Sequence, residues 1–294
     1  MKRLLKTVLL ASMSMASAGQ AAVSVVDDAG RRITLGKPAQ RVISMAPHVT
    51  ELLYAAGAGE RVVGAMNYSD YPEAAKKLPL VGSNSQVDVE RVLALKPDLL
   101  VVWHSGNTAR QIAQLESLGI PVFHSEPRRL EGVADNLVRL GQLMGTSSAA
   151  QAAAAGYRAQ IAALSQRYGR RSPVTVFYQI WDRPLYTLND GQIASDIIRL
   201  CGGRNVFGEL KVVAPEVSIE AVLERDPEVV LAGRRYDPAN PGLGLWQPYK
   251  GMTAVRRGNL FTVDGDLLSR PGPRTAEGAA RLCEQLESAR QRRR

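Results

Sequence analysis

Val89-Glu90-Arg91-Val92-Leu93-Ala94-Leu95-Lys96-Pro97-Asp98-Leu99-Leu100-Val101-Val102-Trp103 decides the fold. Residues 89–95 read as a helix, and Lys96-Pro97-Asp98 turns the chain because proline disfavours helical geometry in the residue before it. Residues 99–103 are apolar without alternation, the pattern of a parallel strand covered on both faces. Ile219-Glu220-Ala221-Val222-Leu223-Glu224-Arg225-Asp226-Pro227-Glu228-Val229-Val230-Leu231 repeats this unit in the second half. In both copies a Glu opens a helix that passes through a Pro turn into a buried strand. Two matching units predict two similar lobes facing each other across a cleft, the default place for a ligand.

Working outward from the first copy, residues 23–26 and 32–35 predict a small hairpin around Asp27-Asp28-Ala29-Gly30. A buried strand over 41–45 stops at Ala46-Pro47, a helix over 50–56 ends at Gly57, and a strand covers 62–65. Downstream come a helix over 109–118 and a strand over 120–123, so strands and helices alternate as in an α/β sheet. From about 130 to 168 the pattern stays helical, broken once at Gly145-Thr146-Ser147. The second of these helices has no strand beside it and is long enough to cross the molecule. The α/β rhythm then restarts with strands at 174–179, 229–231 and 260–263 and helices at 193–200, 219–224 and 275–289. The expected organisation is a signal peptide at 1–21, an N-terminal α/β lobe at 22–145, a connecting helix at 146–171 and a C-terminal α/β lobe at 172–294.

The chain has 294 residues, 22% charged and 45% apolar, ordinary values for a folded globular protein. Its 37 basic and 28 acidic residues leave a formal charge of +9. Lys2, Arg3 and Lys6 belong to the N-terminal segment, and Arg290, Arg292, Arg293 and Arg294 crowd the other end, read here as a solvated, frayed tail. With 5% aromatic residues, no basic face with interleaved stacking rings emerges, so nucleic acid is not an expected partner. A basic start, a short apolar run at 7–15 and Ala16-Ser17-Ala18 form an export signal, with Gly19-Gln20-Ala21 as a second cleavage site. The mature protein is expected to be soluble, and no Cys follows the cleavage region for lipid attachment. Cys201 and Cys283 are the two cysteines; in an oxidising compartment they suit a disulfide, with two buried free thiols as the alternative.

Enzyme readings find no support. Gly-x-Gly-x-x-Gly after a strand, a Walker loop and a Gly-x-Ser-x-Gly elbow are all missing from the sequence. The three histidines, His48, His104 and His124, form no His-x-x-x-His pair. His48 and His104 follow strands, where α/β clefts bind ligands, although a capping or surface role fits His48 better. Neither catalytic nor metal-ligating residues, nor a catalytic cofactor, are expected. Loops at strand ends in both halves carry aromatics with amides and hydroxyls: Asn67-Tyr68-Ser69-Asp70-Tyr71-Pro72, Trp103-His104-Ser105-Gly106-Asn107 and Tyr178-Gln179-Ile180-Trp181, besides the polar stretch from Asp264-Gly265-Asp266 to Arg270. Such a set suits a large, flat, partly apolar ligand. Glu90 and Glu220 begin equivalent helices, where the N-terminal dipole favours an acid whatever its role. Exposed on one face, they can also meet arginines of a partner protein.

Ser44-Met45-Ala46-Pro47 with Thr50-Glu51-Leu52, Tyr68-Ser69-Asp70-Tyr71-Pro72, the 90–98 stretch, Trp103 with Gly106-Asn107, and Cys201-Gly202-Gly203 with Asn205-Val206-Phe207 give the chain a clear resemblance. It resembles the periplasmic cobalamin-binding proteins of ATP-driven (ABC) vitamin importers, within the wider group that also binds haem and ferric siderophores. The resemblance runs from Arg41 to the last helix. It implies a monomeric binding protein with two α/β lobes joined by one rigid long helix and a corrinoid held between them. Tyr68, Trp103 and the segment around Asp266 and Arg270 would line the cleft, Glu90 and Glu220 would dock onto the importer's permease dimer, and Cys201 and Cys283 would pair. The chain departs from the pattern at Asn84 and Ala214, where some cobalamin binders place Trp; Tyr178 and Trp181 are the candidates to compensate. The alternative ligands are haem, for which Tyr68, Tyr71 and His48 are axial candidates, and a siderophore, for which only Arg270 and Arg274 speak.

Overall fold

The computed structural model describes residues 22–233 and 242–293; the export signal expected at 1–21 and Arg294 lie outside the described residues. The N-terminal part begins with β1 (Val23–Val26) and β2 (Arg32–Leu35), an antiparallel hairpin as expected. There follow β3 (Val42–Ser44), α1 (Pro47–Ala55), β4 (Val62–Ala65), α2 (Val89–Ala94), β5 (Leu99–Trp103), α3 (Ala109–Ser117) and β6 (Val122–Ser125). The four strands form an all-parallel sheet in the order β4-β3-β5-β6. One face packs on α1 and α4 (Leu130–Met144) through Val42, Val101, Leu52 and Leu137; the other buries Ile43, Leu100, Ile112 and Leu115.

Two glycines separate α4 from α5 (Ser147–Tyr168) and press them together. Gly145 takes a left-handed φ of 65°, and the Thr146 amide donates back to the Gly141 carbonyl at 2.8 Å, so the helix stops where the sequence breaks. A Cβ at Gly141 would fall 2.1 Å from that of Ala150, so only glycine allows the α4–α5 contact. With 22 residues, α5 spans about 33 Å and passes from one lobe to the other. It buries Ala150 and Ala154, small residues that let neighbours approach, together with Tyr157 and Tyr168.

The second lobe repeats the first. It comprises β7 (Val174–Gln179), the hairpin β8 (Trp181–Asp182) and β9 (Leu185–Tyr186), α6 (Ile193–Leu200), β10 (Gly203–Asn205), α7 (Ile219–Arg225), β11 (Val229–Gly233), α8 (Thr253–Arg256), β12 (Leu260–Val263), α9 (Gly265–Ser269) and α10 (Thr275–Gln291). Its parallel sheet runs β10-β7-β11-β12, the topology of the first sheet strand for strand. The echo between the halves extends to single atoms. Asp88 and Ser218 cap α2 and α7 by accepting from the amides of Arg91 and Ala221. Lys96 and Asp226, the residues before each proline, both sit at left-handed φ, 47° and 37°. Past the proline, the Asp98 carboxylate accepts from the Arg41 amide at 2.9 Å and Glu228 from the Thr175 amide at 3.3 Å. Each acid thereby pins the start of the neighbouring strand.

Cys201 and Cys283 form the disulfide, with both residues fully buried between α6 and α10. Arg290, Arg292 and Arg293 correct an expectation: they are not a frayed tail. Arg290 donates to the carbonyls of Ser172, Cys201 and Gly202 at 2.7, 2.7 and 3.1 Å. Arg293 pairs with Glu228 at 2.7 Å and also bonds Ser172 and Pro173, while Arg292 reaches Gly258 and Asn259. Each guanidinium offers five donors to carbonyls left open at strand and helix ends, so the tail is clamped onto the lobe. Among the described residues, no helix is long and apolar enough to cross a membrane.

Candidate ligand cleft between the lobes

In each sheet the first strand (β3, β7) has one neighbour reached by a crossover to one side and one reached by a crossover to the other. Loops leaving the carboxyl ends there diverge and open a crevice. In the first lobe these ends deliver Met45, Ala46, Pro47 and His48 after β3, Met66, Asn67 and Tyr68 after β4, and Trp103 at the end of β5. Facing them across a cavity of about 320 Å³ are Ser269, Arg270 and Pro271 of the second lobe. Ser83 and Asn84 close one side. A recess of about 510 Å³ between β12 and α10 is larger, but of the candidate stretches only the 264–270 one touches it, through Asp264, Leu267 and Leu268.

Trp103 is built into place. Its amide donates to Asn107 Oδ1 at 2.7 Å, and Asn107 Nδ2 donates to the Met45 carbonyl at 2.8 Å, tying the ends of β5 and β3 together. The indole lies over Gly106, where a Cβ would come within 1.9 Å of the ring. Gly106 and Asn107 thus hold Trp103 in place. Tyr68 is 78% exposed and takes a left-handed φ of 67°, a strained choice for a tyrosine of the kind that collects at functional sites. Asn84 is exposed on the rim, its carbonyl accepting from Thr108 at 3.2 Å.

On the facing wall, Arg270 is the electrostatic centre. It bonds Asp266 at 3.0 Å within its own lobe and Asp70 at 2.8 Å across the cleft, and lies 3.8 Å from Glu51. Burial pushes the Asp70 carboxyl up, but the hydrogen bond and charge of Arg270 outweigh it and hold Asp70 below the usual range. Asp266 belongs to α9, a helix where the sequence suggested a loop, because Asp264 caps it by accepting from the Asp266 amide.

His48 corrects another expectation: it neither caps α1 nor lies at the surface. It is 2% exposed, edge-on to Trp103 at 5.7 Å, and its Nε2 has no hydrogen-bond partner. Burial first, and then the charge of Arg270, push its pKa down to about 3, so the ring is neutral at physiological pH. The unfolded chain, with an ordinary histidine pKa near 6.5, binds the proton that the folded site refuses. Stability should therefore fall as pH drops from about 6.5 toward 3, with a slope of up to about 1.4 kcal/mol per pH unit from this group. Urea unfolding at several pH values should show this slope reduced in His48→Gln.

Tyr178 and Trp181 do not line the cavity. Tyr178 is 2% exposed, facing the core beneath α9, and its hydroxyl meets Ser269 Oγ at 3.1 Å, so it supports the wall from behind. After Gln179 the chain turns into the β8–β9 hairpin, where the Trp181 indole donates to the Arg183 carbonyl at 3.0 Å and the ring is 49% exposed. His104 and His124 face each other, Nδ1 to Nδ1 at 3.0 Å, and do not line the cavity. Glu90 and Glu220 are both exposed in the first turns of α2 and α7. Met45 and Met66 escaped sequence reasoning as site residues because buried apolar residues at strand ends carry no signal that separates a cleft wall from core. Ser269 on α9 and Glu51 on α1 escaped it because their roles depend on partners distant in sequence.

Residues 42–267 match the family model for periplasmic binding proteins. The chain belongs to the periplasmic binding protein family. Within it, a vitamin B12-binding protein of Vibrio campbellii is 38% identical over 257 residues, 87% of this chain and 92% of the relative. The vitamin B12-binding protein of Yersinia pestis is 38% identical over 250 residues, covering 85% and 87%. The crystal structure of the periplasmic vitamin B12-binding protein BtuF of Vibrio cholerae matches with a TM-score of 0.80 at 35% identity, covering 86% of this chain and 98% of that one. A periplasmic haem-binding protein of Pseudomonas aeruginosa matches with a TM-score of 0.71 at 27% identity, covering 83% and 91%.

Proposed function

We propose that this protein captures cobalamin or a related corrinoid in the periplasm and presents it to the permease dimer of an ABC importer, binding the ligand without transforming it. The observation that carries this reading is the likeness over nearly the whole length to vitamin B12-binding proteins, at 38% identity against 27% for a haem-binding relative. The cleft agrees with it in chemistry. Trp103 and Tyr68 offer ring faces for a flat macrocycle, and Asn84 and Arg270 offer polar groups at its edge for carboxamides, while Asp266 does not line the cavity and acts by holding Arg270. Dialysis of the purified mature protein against equal concentrations of cyanocobalamin and haemin tests it. Retention of a corrin absorption spectrum supports the reading; a haem Soret band overturns it.

On this reading Glu90 and Glu220 are the docking residues, one on each lobe. The double variant Glu90→Ala/Glu220→Ala should bind cyanocobalamin within about twofold of the parent, because rim charges steer association between proteins without lining the cleft. Uptake of labelled cobalamin by cells carrying only this variant should drop at least about tenfold, as expected when two interface charges worth about 1.4 kcal/mol or more together are removed.

A further inference from the structure

The cleft walls are joined by more than α5. Glu51, on α1 of the first lobe, is 3% exposed. It accepts from Arg274 Nε at 2.9 Å and Nη2 at 2.5 Å, a bidentate pair, and lies 3.8 Å from Arg270 Nη1. Gly272 runs between these arginines so close to α1 that a Cβ there would sit 3.2 Å from Glu51 Oε2. The Tyr71 ring covers the Arg274 guanidinium at 4.1 Å and shields the pair from water. Asp70 and Asp266 also touch Arg270, but they are 52% and 49% exposed, where solvent weakens an ion pair. Glu51 is the dehydrated acid: its charge-assisted bonds hold Arg274, and its charge acts on Arg270 from 3.8 Å.

We propose that Glu51 is a positioning residue for the cleft: through Arg274 and Arg270 it ties the C-lobe segment that carries Ser269, Arg270 and Pro271 to the first lobe, setting the spacing of the two walls and the aim of Arg270 before any ligand arrives. Among the described residues, that segment is what the second lobe contributes to the cavity, so fixing it fixes that wall. A wall already in place spares the ligand the entropy of ordering it, and that is preorganisation. The tie also gives a use to a buried acid in a helix that faces apolar core, a placement that costs stability unless the charge is paired.

The inference rests on the cleft being the corrinoid site, and its test separates the two. In the ligand-free mature protein, 15N NMR of the Arg274 guanidinium, which Glu51 clamps through Nε and Nη2, should show rotation about Cζ–Nε at least tenfold faster in Glu51→Gln than in the parent. Unchanged rotation overturns the tie whatever the ligand. Titration with cyanocobalamin should then give a dissociation constant at least tenfold weaker for Glu51→Gln, mainly through faster release. The same substitution in an Arg270→Ala background should add less than twofold, because Glu51 acts through Arg270. Equal losses in both backgrounds overturn the positioning role and leave Glu51 as a stability residue. Should Glu51→Gln fail to fold, Glu51→Asp keeps the charge but withdraws it from both guanidiniums, and the same outcomes apply. If the parent binds no cyanocobalamin, the proposed function falls and the guanidinium rotation alone decides the tie.

Discussion

Replacing Trp103 by alanine is expected to weaken cyanocobalamin binding by about 2–4 kcal/mol, roughly 30- to 1,000-fold, with the fold retained. The indole is the one large ring of the cavity held rigidly from both sides, by His48 edge-on and by the backbone at Gly106 beneath it. A pinned ring loses little freedom when a macrocycle stacks on it, so most of its contact area becomes affinity. Tyr68, at 78% exposure, has more motion to lose and should cost less on truncation. Gly106→Ala offers a check that leaves the indole in the chain. Its Cβ would fall 1.9 Å from the ring, so the ring must swing away, and affinity should fall in the same direction. Calorimetric titration read beside a thermal melt separates these losses from unfolding.

Loss of the Cys201–Cys283 bond is expected to remove about 4–5 kcal/mol of stability, from the entropy of the loop it closes over a separation of 82 residues. Guanidinium unfolding of the Cys201→Ala/Cys283→Ala variant should show the midpoint shift at unchanged m-value if the effect lies in the unfolded chain. The bond fastens α10 to the end of α6, and the Arg290 bonds to the Cys201 and Gly202 carbonyls lie beside it. α10 also begins at Thr275, whose hydroxyl meets Tyr157 of α5 at 2.9 Å. Corrinoid binding at 25 °C should survive in the variant, since Leu282 and Leu286 remain buried in the core and keep α10 seated.

Much of the fold was legible because its signals are local. The strands 62–65, 99–103, 174–179 and 260–263 fall where the apolar runs place them, and the break at Gly145 is a left-handed helix end. The duplicated unit revealed two lobes because helix, Pro turn and buried strand must recur when one topology is built twice. What stayed hidden depends on partners far apart in sequence. Glu51 meets Arg274 across 223 positions, and Arg270 meets Asp70 across 200. The arginine-rich end looked like a tail because carbonyls waiting at Ser172 and Cys201 leave no mark in composition. Likewise Tyr178 looked like a cleft aromatic, since a strand-end tyrosine reads the same whether it turns toward the opening or toward the core.

On the proposed function, the space between Trp103 and Arg270 is a one-to-one corrinoid site. Isothermal titration of the mature protein with cyanocobalamin tests it most directly. Saturable heat is expected at a stoichiometry of about one, with a dissociation constant of about 1 μM or tighter. No saturable heat with cyanocobalamin, alongside saturable binding of haemin, would contradict it.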